Sequence, residues 1–218
     1  MFALYLEPLP RSLFCGLKST LQLSDAYTIL YNISSALAYL TALPVIHNDI
    51  KPLNITYSPH RGAVLIDFGM ATATDSEKIG GSSWYLPPDV IDDNTRGSPG
   101  DIWALGITML YVLGKIDFPE RSVKGWTIHD LYRPGESRRR MTNWLSFISG
   151  IRAKLNHMPD KGDTRDRIEY IVFKMLEVDG TLRIKAKNIT SALDEIDPVG
   201  HVADSAEDGG SSIQPKRR

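Results

Sequence analysis

Cysteine is nearly absent: the 218-residue chain has one, Cys15. No disulfide can form within the chain, which suits a reducing compartment, and Cys15 reads as a small apolar residue. Excess charge is absent as well. Lys and Arg number 25 and Asp and Glu 26, a net charge of -1, which gives no basis for bulk binding to nucleic acid or to an anionic membrane. The start, "MFALYLEPLP", has no basic region and meets Glu7 after a few apolar residues, unlike a secretory signal. The apolar run from Ile102 to Gly114 is too short to cross a bilayer. Internal repeats are not visible. These absences predict an intracellular protein, cytoplasmic or nuclear, with no nucleic-acid or membrane partner. What is present, 42% hydrophobic and 23% charged residues, is ordinary globular composition with length for a sizeable core.

Hydrophobic periodicity predicts mostly helices. Residues Phe2 to Leu6 read as a short strand, followed by the turn-rich "EPLPRS". Ser24 is placed to cap a helix whose apolar face carries Ala26, Ile29, Leu30, Ile33, Ala36, Leu37 and Leu40, ended by Pro44. Short strands at Ile55 to Tyr57 and Ala63 to Ile66 flank "SPHRG", a hairpin-like turn. Residues Asp101 to Leu113 are apolar nearly all round, which predicts a buried helix. The stretch from Pro119 to Arg167 is basic and irregular, with one amphipathic pattern at Met141, Trp144, Leu145, Ile148, Ile151 and Leu155. Helices are expected at Arg167 to Glu177 and Ala186 to Ile196, and a disordered tail over residues 199–218. No strand–helix–strand alternation occurs, so a doubly wound sheet is excluded. The expected class is mainly α with short β-hairpins, an α+β arrangement.

The chemistry concentrates in "VIHNDIKPLNITY", which sets His47, Asp49, Lys51 and Asn54 within one short loop. Taken alone, Asp49 reads as a turn residue and Asn54 as an Asx cap. Together they suit attack by a hydroxyl on a phosphoryl group. The acid accepts the hydroxyl proton, the lysine steadies the transferring negative charge, and the amide oxygen ligates a hard cation. A second cation ligand is then needed, and "LIDFGMA" supplies Asp67 at the end of a strand.

"HNDIKPLN" and "IDFG" resemble the catalytic loop and metal-binding loop of eukaryotic protein kinases. Three further stretches follow in the family's order. "GSSWYLPPD" resembles the substrate-binding segment, "DIWALG" the start of the buried central helix, and "DGTLRIKA" places Arg183 where the family pairs an arginine with the segment's closing acid, here Asp89. The resemblance implies the fold of a kinase C-terminal lobe with its hinge over residues 1–198, ATP and Mg²⁺ as cofactors, and a protein substrate with a Ser or Thr acceptor. It implies Asp49 as catalytic base, Lys51 at the γ-phosphate, and Asn54 and Asp67 as Mg²⁺ ligands. It puts Thr56 under the adenine and the backbones of Glu7 and Leu9 at the hinge. His47 and Phe68 would stack, Asp101 would hold the catalytic loop, Ser82 would bond near Asp49 and Lys51, and Asp89 and Arg183 would form a buried ion pair.

The sequence also departs from the family. No G-x-G-x-x-G loop precedes the catalytic loop, and the only lysine before it is Lys18, outside any "VAIK"-like strand. The expectation is that the N-terminal lobe is missing, so that such a lobe or a partner protein must cover the cleft. Asn48 replaces the usual arginine that reads a loop phosphate, which predicts weak switching by phosphorylation, although Ser76, Ser82 and Ser83 offer hydroxyls. An insertion is expected within residues 119–167. It includes Arg138, Arg139 and Arg140, read as a solvated face rather than a docking surface. Two functions stay open: a Ser/Thr protein kinase of which this is the C-terminal part, and a non-catalytic kinase-like interaction protein.

Overall fold

Thirteen residues of helix α3 (Ser98–Val112) are buried, from Gly100 to Val112. This is the all-round apolar helix expected from the sequence, begun earlier, at Ser98, with Pro99 in the first turn where a missing N–H costs nothing. The structure, a computed structural model, describes residues 9–13, 21–73, 81–93, 97–158 and 162–196. The expected strand at Phe2 to Leu6, the positions Glu7, Cys15, Lys18 and Ser76, and the tail at 199–218 lie outside the described residues.

Helix α1 (Leu23–Ala42) packs against α3, and its Ala26, Ile29, Leu30, Ile33 and Leu37 are buried. Its cap is Gln22, not Ser24: Asp25 accepts the Gln22 N–H at 2.6 Å, a capping-box contact. Asp25 also accepts the Tyr57 hydroxyl, tying the helix start to the hairpin. That hairpin pairs β2 (Ile55–Ser58) with β3 (Gly62–Leu65), Ile55 opposite Leu65. Gly62 is required at the turn: its φ is +75°, and a Cβ there would collide with Asn32 Oδ1, which accepts the Ala63 N–H at 2.9 Å. Residues 11–13 run along the other edge of β2, with Leu13 N–H donating to the Ile55 carbonyl at 2.9 Å.

A second ladder joins β1 (Val45–Ile46) to β4 (Thr72–Ala73). It links distant segments and is not a hairpin, the one change to an otherwise matching fold class. After a short α2 (Val90–Asp93) and α3 come α4 (Pro119–Ser122), α5 (Glu136–Arg152), α6 (Thr164–Met175) and α7 (Ala186–Asp194). Helix α5 carries the expected amphipathic pattern, with Met141, Trp144 and Ile148 buried. Helix α6 starts before Arg167 because Asp163 caps it, accepting the Asp166 N–H at 3.1 Å. It crosses α3 closely at Gly106, where a Cβ would meet Leu176 and Met175. No helix among the described residues is long and apolar enough to cross a membrane.

Candidate active site

The polar loop hangs from the first turn of α3. Asp101, 3% exposed, accepts the backbone N–H of His47 at 2.8 Å and of Asn48 at 2.9 Å. A helix start is a favourable place for a carboxylate, and a buried charge needs such partners. His47 is fully buried. Its Nε2 lies 3.1 Å from the Ile66 carbonyl oxygen and its ring meets Phe68 edge-on at 4.7 Å between centroids.

Four side chains then converge. Asp49 Oδ2 lies 2.7 Å from Lys51 Nζ and accepts from the Asn54 amide at 2.9 Å. Its Oδ1 accepts from the Ser82 hydroxyl at 2.9 Å and the Ser82 N–H at 3.1 Å, while Lys51 donates to Ser82 Oγ at 2.8 Å. Burial alone would raise the Asp49 pKa. The hydrogen bonds from Lys51 and Ser82, the charge of Lys51 and the amide of Asn54 outweigh it and hold the carboxyl below its usual range. Asp49 is thus an oriented carboxylate, the state a general base requires.

The side that carries Asp67 is built differently. Asn54 gives its amide nitrogen to the Asp49 carbonyl at 2.8 Å as well as to its carboxylate, which leaves the amide oxygen as the acceptor for a cation. The Asn54 carbonyl accepts the Ile66 N–H at 2.9 Å, setting the strand end that carries Asp67 beside it. Asp67 is exposed, in a left-handed conformation with φ 63°, and accepts the Gly69 N–H at 3.2 Å. Among the described residues no group of three or more His, Cys, Asp or Glu could hold a metal. Two oxygen ligands fit Mg²⁺, which takes few from protein and the rest from phosphate and water.

The family profile described as "Protein kinase domain" matches residues 2–193. The chain belongs to the protein kinase family. Its relatives include the serine/threonine-protein kinase DCLK1 of Rattus norvegicus, 38% identical over 95 residues, 41% of this chain and 22% of that protein. The mitosis inhibitor protein kinase mik1 of Schizosaccharomyces pombe is 28% identical over 126 residues, 55% of this chain and 22% of the relative. An Aurora kinase of Debaryomyces hansenii is 38% identical over 98 residues, 42% of this chain and 24% of the relative. The matched stretch spans under a quarter of each relative's length. Protein kinases as a class use ATP and Mg²⁺ on protein substrates.

Several expected kinase features take a different form here. Ser82 and Ser83 are not free hydroxyls: Ser82 is spent on Asp49 and Lys51, and Ser83 donates to the Trp126 carbonyl at 2.6 Å. In the Asp89–Arg183 pair, joined at 2.9 Å, the buried member is the arginine; its side chain is 0% exposed, against 27% for Asp89. Arg183 also donates to the carbonyls of Pro99, Glu177 and Val178. Thr56 is buried, its hydroxyl 3.5 Å from the Val64 carbonyl, and Leu9, on the segment beside β2, is exposed. Arg139 and Arg140 pair with Glu136 at 2.6 and 2.9 Å, as a solvated helix face does.

Sequence reasoning missed a second support, beneath residues 81–89. Trp84 donates to the Val123 carbonyl at 2.9 Å, and Trp144 to the Trp84 carbonyl at 2.8 Å. Tyr85, buried, donates to Glu120 at 3.0 Å. Burial pushes the Glu120 carboxyl up, against the opposing pull of its backbone and Tyr85 hydrogen bonds and of Lys51. Three of the four tryptophans cluster here. The spacing of Trp84, Trp126 and Trp144 was the only signal, and one sequence offers no means of pairing them.

Proposed function

We propose that this chain carries the catalytic half of a Ser/Thr protein kinase, transferring the γ-phosphoryl group of ATP to a protein hydroxyl. The convergence of Lys51, Ser82 and Asn54 on Asp49 carries the reading. Asp49 orients the substrate hydroxyl and accepts its proton. Lys51, bridged to Asp49 and Ser82, offers its charge to the moving phosphoryl group. Asn54 and Asp67 would hold Mg²⁺, which when bound neutralises the phosphate charge. The backbones of Glu7 and Leu9, with Thr56, would meet the adenine. Residues 119–167 would carry an insertion, and the kinase domain would end near residue 198.

A cover over the nucleotide belongs to this reading, supplied by an N-terminal lobe or a partner protein. Two cavities, of about 620 and 410 Å³, include none of Asp49, Lys51, Asn54 and Asp67 in their linings. Leu9, Phe68 and Met70 present apolar surface, each more than two-fifths exposed. That apolar surface also favours the second reading, a non-catalytic kinase-like protein that binds partners there.

Radiolabel transfer from ATP to casein with Mg²⁺ decides between them. Catalysis predicts transfer that falls by about 10²-fold or more in Asp49→Asn. Transfer equal in the two proteins contradicts Asp49 as base, and none in either, with an N-terminal lobe supplied in trans, favours the binding role.

A further inference from the structure

We propose that Asn48 and Thr72 form a latch that fixes the segment after the metal loop to the catalytic loop, making Asn48 a positioning residue for the phosphoryl transfer proposed above, on which its catalytic meaning rests. Asn48 is 1% exposed and has φ 68°, a left-handed conformation that asparagine tolerates better than most residues. Its N–H is held by Asp101, so its side chain leaves the loop from a fixed point. The carboxamide nitrogen donates to the Met70 carbonyl at 3.0 Å and to Thr72 Oγ1 at 2.8 Å. Both acceptors lie just beyond Asp67 and Phe68.

The β1–β4 ladder that Thr72 belongs to is two residues long, pairing Ile46 with Thr72 and Val45 with Ala73. So short a ladder is marginal by itself. The two amide bonds brace it from the catalytic-loop side. The neutral amide takes as its acceptors the backbone carbonyl of Met70 and an unmodified hydroxyl. The loss of the usual arginine reads from sequence as a missing switch; the residue in its place ties the two segments together with no phosphate involved.

Amide hydrogen exchange of the whole chain, followed peptide by peptide, tests the latch without needing phosphotransfer. Thr72→Val keeps the shape and removes the acceptor; Thr72→Ser keeps it. The latch predicts exchange over residues 70–73 and 45–46 about threefold to tenfold faster in Thr72→Val, wild-type exchange in Thr72→Ser, and no change in α3 or α6. Asn48→Gly, which accepts the positive φ, gives the same local pattern, and combining it with Thr72→Val adds less than the product of the two. In the casein assay, Thr72→Val lowers kcat and leaves the casein KM unchanged. Exchange unaltered by Thr72→Val, raised evenly across the chain, or raised equally by Thr72→Ser overturns the latch. The local pattern in a protein with no transfer activity leaves the latch standing and counts against the kinase reading alone.

Discussion

The catalytic loop and the metal loop lie side by side and are held in opposite ways. His47, Asn48, Asp49 and Asn54 are all at least nine-tenths buried, and each has a hydrogen-bonding partner on another part of the chain or within the loop. Asp67, Phe68, Gly69 and Met70 are exposed, secured by the Gly69 turn, the Phe68 edge contact with His47 and the amide of Asn48. The difference shows where precision comes from. The Asp49 carboxylate is oriented by Lys51, Asn54 and Ser82, in a loop whose backbone is held by Asp101 of α3. Asp67, the proposed cation ligand, is exposed. Positioning supplies much of the rate in phosphoryl transfer; under the proposed function one half of the site is preorganised and the other takes its cover from an N-terminal lobe or a partner protein.

The largest expected effect extends the rigid half to its far anchor. Arg183→Ala removes a buried cation with four bonds and costs about 3–5 kcal/mol in denaturant unfolding. Asp101→Ala leaves two buried N–H groups without acceptors and costs about 3 kcal/mol. Ser82→Ala, which removes one bond to Asp49 and one acceptor for Lys51, costs about 1 kcal/mol. Asp67→Asn, on the open side, keeps the left-handed backbone and the acceptor for the Gly69 N–H, and changes stability by less than about 0.5 kcal/mol. The comparison breaks if Asp67→Asn unfolds the protein as readily as Asp101→Ala.

Much of the rigid half was legible in the sequence. Asp49, Lys51 and Asn54 stand close in the chain, and local spacing is what a sequence displays. The bonds of Asp101 to the loop, Ser82 to Asp49 and Asp89 to Arg183 span long separations; they were expected only through resemblance to the family, since no periodicity encodes them. Resemblance also misled where this chain departs. Asn48 read as an absence, because its partners Met70 and Thr72 become neighbours only once β1 and β4 pair. The burial split of Asp89 and Arg183 was unreadable for the same reason: exposure depends on what the fold packs over each end. Helix starts slipped by a few residues: Gln22 with Asp25 took the place of the expected Ser24 cap, and Asp163 caps α6 ahead of Arg167.

Titration of the Asp49 side-chain carbon by NMR tests the heart of the account most directly. Contacts from Lys51, Ser82 and Asn54 predict a pKa below the ordinary carboxylate value of about 3.9. The sign follows for stability: a depressed folded pKa contributes stabilisation that is fully present above the unfolded pKa and is lost as pH falls through the folded one. Asp49→Asn therefore flattens the acid limb of the stability curve below about pH 4. A titration at or above the ordinary value would mean that the three partners do not hold the carboxylate, and that Asp49 is not the oriented base on which the proposed phosphoryl transfer depends.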